Sequence, residues 1–177
     1  MGEHARAVEG RLDVGAEVGS LPISFEELFE AERDRLFGLL FLVTGDRNEA
    51  EEIAQDAFLA VWERWDRAHA LENPAGYLTR TAMNLFRKRY RRAAVLRRIL
   101  PLARSNDEQA PADSGLMLSE ALRAISPRQR AALVLTELIG YSSGEAAEIL
   151  RVKPSTIGAL KYQGRVALRK DSEGQDD

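Results

Sequence analysis

Arginine and lysine side chains, which could bind the phosphates of a nucleic acid, are concentrated in residues 77–104. This stretch has no carboxylate and nine basic residues: Arg80, Arg87, Lys88, Arg89, Arg91, Arg92, Arg97, Arg98 and Arg104. Like charges concentrated in this way repel one another and attract a polyanion. The rings of Tyr77, Phe86 and Tyr90 lie among them and offer faces on which bases could stack. Nucleic acid is therefore the first partner predicted; the alternative is a solvated basic helix face.

Charge is unevenly distributed along the chain, although the whole protein of 177 residues has a net charge of only −3. Residues 25–67 sum to −7, residues 77–104 to +9 and residues 116–170 to +5. An acidic block thus precedes two basic blocks. The small overall charge is therefore no argument against nucleic-acid binding by parts of the chain.

The composition disfavours several kinds of site. The chain has no cysteine, which excludes disulfides and thiolate metal sites, and His4 and His69 alone cannot build a typical zinc site. The longest nearly unbroken apolar run, residues 36–43, is far shorter than the roughly 20 residues of a membrane span. The first residues lack the pattern of a secretory signal. We therefore expect a cytoplasmic protein with no membrane insertion and no cofactor.

Caps and periodic apolar residues predict two helices before the basic stretch. Ser24 and Glu27 form a capping-box pattern, which predicts a helix from there to about Val43. A second helix is predicted from Asp46 to about Trp65. Its apolar face is predicted to be buried and consists of Ile53, Ala57, Phe58, Val61, Trp62 and Trp65.

The basic residues are predicted to lie on a third helix. A polar loop is expected for residues 66–73, and Asn73 followed by Pro74 is a strong helix start, because Asn caps and Pro suits the first helical position. The helix is expected to end near Arg92 or a little beyond. Its narrow apolar seam consists of Leu78, Thr81, Ala82 and Leu85. Since the basic residues lie largely off that seam, a docked helix could present them to phosphates.

A polar, acidic and turn-prone segment divides the chain. Pro101 ends helical continuity, and residues 105–115 offer almost nothing to bury, so we place a flexible linker at residues 97–115. The predicted fold is all-α, with two small helical domains at residues 23–96 and 116–170. Residues 1–22 are predicted to be a disordered tail and residues 171–177 an acidic tail.

The second half has the layout of a helix-turn-helix. Ser126 and Ser142 each begin a helix with a capping box, and Pro154 begins a last helix to about Lys170. Short helix, tight turn and longer helix is the helix-turn-helix arrangement, whose second helix enters the major groove of DNA. Residues 151–170 hold six basic side chains and no acidic one. The coincidence of layout and charge favours DNA binding over three-helix packing without DNA.

These modules, in this order, resemble the sigma factors of the extracytoplasmic-function (ECF) type in the sigma-70 family, which keep the second and fourth conserved regions of larger sigma factors. The resemblance covers about residues 25–92 and 117–169. In the first half it is carried by Gly45-Asp46, residues 50–58 (AEEIAQDAF), Tyr77-Leu78, Ala82, Asn84 and Arg91-Arg92. In the second half it is carried by residues 122–129, residues 144–149 (GEAAEI), Ser155-Thr156-Ile157, Gly164-Arg165 and Leu168-Arg169.

The resemblance implies a transcription initiation factor that binds core RNA polymerase, directs it to promoters and helps to melt the DNA, without catalysis of its own. The first domain is then sigma region 2 and the second is sigma region 4. The implied partners are promoter DNA, an anti-sigma factor, and core polymerase through the clamp helices of its largest subunit and the flap of its second-largest.

The resemblance also implies roles for individual residues. The clamp helices would contact Glu52, Gln55, Asp56 and Leu59. The −10 promoter element would contact Asn73, Tyr77, Arg80, Asn84, Arg87, Lys88 and Arg91. The −35 element would contact Lys153, Ser155, Thr156, Lys161 and Arg165.

The chain departs from the family pattern in both halves. Tyr77 stands where the family usually has Trp, Lys88 replaces a frequent Asp, and residues 158–163 (GALKYQ) replace a pattern that includes further arginines. A good bidentate base contact is worth about 1–3 kcal/mol of discrimination. The changed last helix therefore predicts weak or unusual recognition of the −35 element.

Two other functions remain open from the sequence. A free-standing helix-turn-helix regulator would bind duplex DNA without polymerase, but it would not need the acidic helix that precedes the basic stretch. A nuclease would need carboxylates arranged around a metal ion. The sequence contains no Gly-rich phosphate loop, no histidine cluster and no nucleophile–base spacing, which disfavours an enzyme.

Overall fold

The computed structural model describes residues 24–99 and 114–174, and within them the side chains of residues 24–95 and 118–171. Every element in these two ranges is helical: α1 (Phe25–Thr44), α2 (Arg47–Trp62), α3 (Trp65–Ala68), α4 (Pro74–Ile99), α5 (Ser114–Arg123), α6 (Pro127–Leu133), a π-helix (Val134–Leu138), α7 (Ser143–Leu150) and α8 (Pro154–Gly174). The predicted all-α fold is confirmed. None of these helices is both long enough and apolar enough to cross a membrane. The predicted N-terminal tail, the last residues of the acidic tail and residues 100–113 of the predicted linker lie outside the described residues.

Side-chain caps start the helices where the sequence predicts them. Ser24, Ser126 and Ser142 each form a complete capping box with the residue three positions later. Asp46 and Asn73 cap α2 and α4 through side-chain oxygens that lie 2.8 and 2.7 Å from the backbone nitrogens they accept from. Each cap satisfies N–H groups that the start of a helix leaves without a partner, which stabilises it by about 1 kcal/mol.

Several helix ends differ from the prediction. Helix α2 ends at Trp62 instead of near Trp65, and the short α3 overlaps the start of the predicted polar loop. Helix α4 continues to Ile99, beyond Arg92, because no proline interrupts it before Pro101. The two ends of the predicted linker are therefore helical.

The helix that begins after Ser126 changes into a π-helix in its second half, at Val134–Leu138. The Thr136 hydroxyl donates to the Ala132 carbonyl at 2.9 Å, where it competes with the backbone N–H that normally binds this oxygen. Insertions of this kind locally widen a helix. Tyr141 then closes the turn through a backbone hydrogen bond of 2.9 Å to Leu135.

The two helical halves pack against each other. Helix α1 contacts α2 and α4 of the first half and also α5 and α6 of the second, and α4 contacts α7. The buried apolar cluster includes side chains from both halves, among them Leu40, Phe58, Leu135 and Ile157. The sequence indicated two helical units with a slack connection between them, and the structure adds a shared interface that no local pattern revealed.

Arg130 of α6 is buried in this interface. Its side chain is 7% exposed, and within the described ranges its Nε has no hydrogen-bond partner. The guanidinium occupies the space beside Gly45, whose φ of +73° ends α1 and where a β-carbon would collide with it. Burial, and then the nearby Arg123, lower the pKa of Arg130. Burial, and then Asp46, raise the pKa of the neighbouring Glu49, so neither charge is fully compensated here.

We expect the substitution Arg130→Met to raise the free energy of unfolding by about 1–2 kcal/mol, because it keeps the aliphatic packing and removes a buried nitrogen without a partner. Urea denaturation followed by circular dichroism measures the change. Arg67→Met, at an exposed position on α3, is the control and should change stability by less than about 0.5 kcal/mol. A loss of stability in R130M alone would mean that attraction to Glu49 outweighs the cost of burial.

Candidate nucleic-acid and protein interfaces

Helix α4 brings most of the residues predicted to contact the −10 element into one stripe. Arg80, Lys88 and Arg91 are exposed, and Arg87 is half-buried. Arg87 donates through Nη1 to Asn84 Oδ1 at 3.1 Å. Positions separated by three or four residues lie above one another on a helix. We call these five residues the α4 stripe.

Asn73 and Tyr77, also predicted to contact the −10 element, lie at the start of α4. Asn73 uses its Oδ1 to cap the helix through the Gly76 N–H. Tyr77 is half-buried and lies one turn before Arg80. Phe86 was predicted as a stacking platform, but it is 3% exposed and its ring stacks on Tyr90, with centroids 6.1 Å apart. That prediction is wrong for Phe86, because the buried face of α4 is wider than the seam predicted.

The side chains that widen this seam were not singled out by sequence reasoning. Together with the predicted Leu78 and Ala82, the buried face of α4 includes Thr79, Met83 and Phe86, whereas the predicted Thr81 and Leu85 are only partly buried. A helix that packs against several neighbours buries a broad face, and α4 contacts three helices: α1, α2 and α7. The periodicity of α4 could not reveal its contact with α7, because α7 belongs to the other half of the chain.

Two carboxylates predicted to bind polymerase are already bridged to α4. Arg89 donates through Nη1 to Glu52 Oε2 at 2.5 Å and through Nη2 to Asp56 Oδ2 at 2.8 Å. The hydrogen bond to Glu52 is the main reason that the pKa of Arg89 is raised. One planar guanidinium thus fixes two successive turns of α2 against α4. Sequence reasoning placed Arg89 among the nucleic-acid cations and did not predict this role.

The exposed face of α2 combines those carboxylates with apolar side chains. Gln55 is exposed, and Leu59 is 56% exposed. Trp62 was predicted to be in the core, but it is 52% exposed and rests one ring edge on Phe25, with centroids 5.0 Å apart. That prediction is wrong, because Trp62 lies at the rim of a groove of about 420 Å³ between α1 and α2. We call Glu52, Gln55, Asp56, Leu59 and Trp62 the α2 surface.

The helix-turn-helix has a small apolar core. Ala146, Ala147, Ile149 and Ile157 are buried, and Val152 is partly buried between α7 and α8. The turn is closed by a hydrogen bond of 2.9 Å from the Val152 N–H to the Ala147 carbonyl. This small core sets the angle between the two helices.

Two of the five residues predicted to read the −35 element are paired within the protein. Lys161 Nζ and Arg165 Nη2 lie 2.8 and 2.9 Å from Glu137 Oε1 on the π-helix. The hydrogen bond from Lys161 is the main reason that the pKa of Glu137 is lowered. Lys153 and Ser155 are exposed at the start of α8, and Thr156 is half-buried. Lys161 and Arg165 are therefore tied to the π-helix, although Arg165 itself remains exposed.

The α4 stripe also faces the other half. Arg80 Nη2 lies 3.7 Å from Glu148 Oε2 on α7, with both side chains more than half exposed. Such an exposed pair contributes little stability, about 0–1 kcal/mol.

Within the described ranges, no group of three or more carboxylate and histidine side chains is placed to hold a metal ion.

We expect Glu137→Gln to destabilise the protein at neutral pH by at most about 1 kcal/mol, because the Glu137 side chain is 42% exposed and solvent screens its two ion pairs. The folded pKa of Glu137 lies below its ordinary value of 4.5. Its stabilising effect is therefore fully present above that value and is lost as the pH falls through the folded pKa. The difference between E137Q and wild type in urea denaturation should thus shrink on acidification.

The control for this experiment is Glu120→Gln, an exposed carboxylate on α5, which should show no such pH-dependent difference. A wild-type advantage over E137Q that stayed constant through acid pH would contradict the assignment of the pKa shift to these pairs.

Comparison with known proteins identifies the two halves. The family model Sigma-70 region 2 matches residues 28–95, and the family model Sigma-70, region 4 matches residues 115–168. The chain is 30% identical to the ECF RNA polymerase sigma factor SigE of Mycolicibacterium smegmatis over 89% of this chain and 64% of that relative. It is 25% identical to the RNA polymerase sigma-E factor of Streptomyces avermitilis over 87% of this chain and 88% of that relative.

A solved structure supports the fold. The sigma factor RpoE of Bartonella quintana, in complex with the anti-sigma factor NepR, superposes with a TM-score of 0.68 at 21% identity over 82% of this chain and 94% of that chain. The chain thus carries both sigma-70 regions, and it belongs to the sigma-70 family of RNA polymerase sigma factors, in the extracytoplasmic-function group.

Proposed function

We propose that this protein is a transcription initiation factor that acts in the cytoplasm, binds core RNA polymerase and directs it to specific promoters. It has no catalytic role of its own. The observation that carries the proposal is the placement of an acidic and apolar surface on α2 beside a basic stripe on α4. One helix can then hold polymerase while its neighbour holds promoter DNA.

The α2 surface fits a protein partner with basic and apolar side chains. Its centre exposes Leu59 and Trp62, and large apolar or aromatic side chains are the usual anchors of protein interfaces. Glu52 and Asp56 add negative charge at one side. We propose that the clamp helices of the largest polymerase subunit dock here, through Glu52, Gln55, Asp56 and Leu59. Trp62 extends the proposed contact beyond the residues that the sequence predicted.

We expect Asp56→Lys to weaken binding to core polymerase at least tenfold without unfolding the protein, because it places a cation against a basic partner. Biolayer interferometry with purified core enzyme measures the affinity. Arg89→Ala is the matched control, because it breaks the same ion pair from the other side and leaves the carboxylate free. Equal losses in both variants would mean that the ion pair, and not the charge of Asp56, supports binding.

The α4 stripe fits the phosphates and unstacked bases of a −10 element. Its cations lie on one side of a helix whose other side is buried, so phosphate contacts can fix the register while neighbouring amides and rings meet bases. Removing a base from the stack costs a few kcal/mol, which binding of that base to a protein surface can offset. We propose contacts through Asn73, Tyr77, Arg80, Asn84, Arg87, Lys88 and Arg91.

We expect Arg80→Ala and Asn84→Ala to reduce promoter opening at least fivefold while core binding changes less than twofold, because these side chains face DNA and not polymerase. Permanganate reactivity of unpaired thymines measures opening. Glu148→Gln is the matched control for Arg80, since it removes the ion pair to α7 but keeps the cation. Opening that remained at the wild-type level in both alanine variants would contradict the assignment.

Binding to a whole promoter requires the two halves to separate. A compact chain of this length has a radius of gyration of about 16 Å. Elements centred about 25 base pairs apart lie roughly 85 Å apart along the DNA, at 3.4 Å per base pair. The packed arrangement is too small to reach both, so the interface around Arg130 must open on the polymerase.

The second half would then contact the −35 element and the flap of the second-largest subunit. We propose Lys153, Ser155, Thr156, Lys161 and Arg165 as the DNA contacts. Glu137 forms ion pairs with both Lys161 and Arg165, so phosphates must compete with this carboxylate for the two cations.

We assign residues 23–96 to region 2, residues 97–115 to the linker and residues 116–170 to region 4.

An anti-sigma factor is a further proposed partner, since the Bartonella relative is in complex with one. A free-standing helix-turn-helix regulator is not favoured, because it would leave the exposed α2 surface without a role. Gel filtration of the full chain with core polymerase separates the two functions. Co-elution supports the initiation factor, and separate elution supports the regulator.

A further inference from the structure

A cleft between the two halves is lined by cations from both. Its inner cavity, of about 290 Å³, is bounded by side chains of α4, α6, the α7–α8 turn and α8. Four arginines line it: Arg87 and Arg91 from the first half, and Arg128 and Arg151 from the second. We call this site the arginine cleft. No ion pair involves any of these four side chains in the part of the chain that the structure describes.

The positive charges in the arginine cleft are close enough to repel one another. Burial, followed by the repulsion of Arg151, Arg91 and Arg128, lowers the pKa of Arg87. Like charges brought together across a domain interface oppose its closure unless an anion lies between them. The structure thus holds two surfaces together by apolar contacts while their cations repel.

The shape of the cleft separates an apolar part from a charged part. The inner cavity is walled by apolar and aromatic side chains: Phe86, Tyr90, Ala131, Leu150, Val152 and Leu160. A wider basic hollow of about 800 Å³ adjoins it and shares Arg87, Arg91 and Arg151 as lining residues. Lys88 and Arg92 add two more cations there. The inner part suits a planar ring, and its mouth suits several phosphates.

Arg151 is placed in the cleft by an unusual backbone conformation. Its φ of +50° lies in the left-handed region, and within the described ranges it is the non-glycine residue with positive φ. Helix ends of this type usually carry glycine, which adopts the conformation without strain. An arginine here costs roughly 1 kcal/mol, and its guanidinium adds charge to the cleft mouth.

We propose that the arginine cleft binds a nucleoside polyphosphate, with the base in the inner cavity and the phosphates at the mouth between Arg87, Arg91 and Arg151. Guanidinium groups bind phosphate oxygens through paired, charge-assisted hydrogen bonds. The inner volume is close to the lower end of small-molecule sites, which begin at about 300 Å³. Since both halves line the site, bound nucleotide holds the packed arrangement together.

A single DNA strand also contains bases and phosphates, so the test distinguishes a free nucleotide from a DNA strand as the ligand. Isothermal titration calorimetry of the full chain, without polymerase or promoter, is carried out with ATP, adenosine, pyrophosphate and a short single-stranded oligodeoxynucleotide. We expect saturable binding of ATP at one site. Adenosine and pyrophosphate should each bind at least tenfold more weakly, because each fills only one part of the cleft.

Two variants outside the proposed DNA contacts test the site itself. Arg151→Asn removes the charge and keeps a residue that tolerates positive φ, and Arg128→Gln removes a second charge on α6. Arg151→Asn should weaken ATP binding about tenfold, as expected for the loss of a hydrogen bond to a charged group. Arg128→Gln should weaken it less, because Arg128 lines the inner cavity and not the mouth. Arg67→Gln on α3, which lines neither cavity, is the matched control and should leave the affinity unchanged. Thermal melts establish that the variants fold.

Three results would overturn the proposal: no saturable ATP binding at millimolar concentration, equal affinity in all variants, or binding of the oligodeoxynucleotide without binding of ATP. The last result would assign the cleft to a DNA strand. Competition between nucleotide and promoter follows if Arg87 and Arg91 also contact DNA, and this consequence rests on the proposed function. Nucleotide binding by the isolated chain does not depend on the proposed function, so the nucleotide site and the proposed function can fail separately.

Discussion

Burial of α1 from two sides is the constraint on which the rest of the structure depends. Its apolar residues Leu28, Leu36, Leu39, Leu40 and Val43 are all inside, and the helix contacts elements of both halves. A helix of 20 residues is about 30 Å long, so it is long enough to pack against both helical bundles at once. The left-handed end of α1 at Gly45 then makes the opening into which Arg130 fits.

At the interface between the two halves, apolar burial favours packing and charge repulsion opposes it. The interface buries side chains from both halves, yet it brings Arg87 towards Arg151 and Arg128 and buries Arg130 beside a carboxylate of raised pKa. Repulsion and desolvation therefore reduce the stability that packing provides. This balance supports the proposal that the two halves separate on the polymerase.

The charges on α2 and α4 are arranged so that each helix orients the other. Arg89 reaches α2 although a third of its side chain stays exposed, and by binding Glu52 and Asp56 it holds the acidic face in register with the basic stripe. Neither helix could present its surface reliably alone, because long charged side chains lose substantial rotamer entropy when held in place. The contact that links them is therefore part of both proposed interfaces.

Much of the local structure follows from the sequence alone. Capping boxes at Ser24, Ser126 and Ser142 mark helix starts, since a cap depends on residues within one turn. The helix-turn-helix and its small core follow from short-range periodicity in the same way. Burial was predicted less well at the faces that meet another helix: Phe86 is inside and Trp62 is outside, because periodicity shows that a helix has an apolar face but not how widely its neighbours cover it.

The sequence by itself determined the helices, the segregation of charge and the family motifs, because each depends on residues close together in the chain. The tertiary structure alone decided which cations are accessible. Arg89 is bound to α2, Lys161 and Arg165 share Glu137, and Arg130 is enclosed at the interface. These outcomes depend on pairs of residues far apart in the chain, and their distances are set by how the helices pack and not by any local pattern.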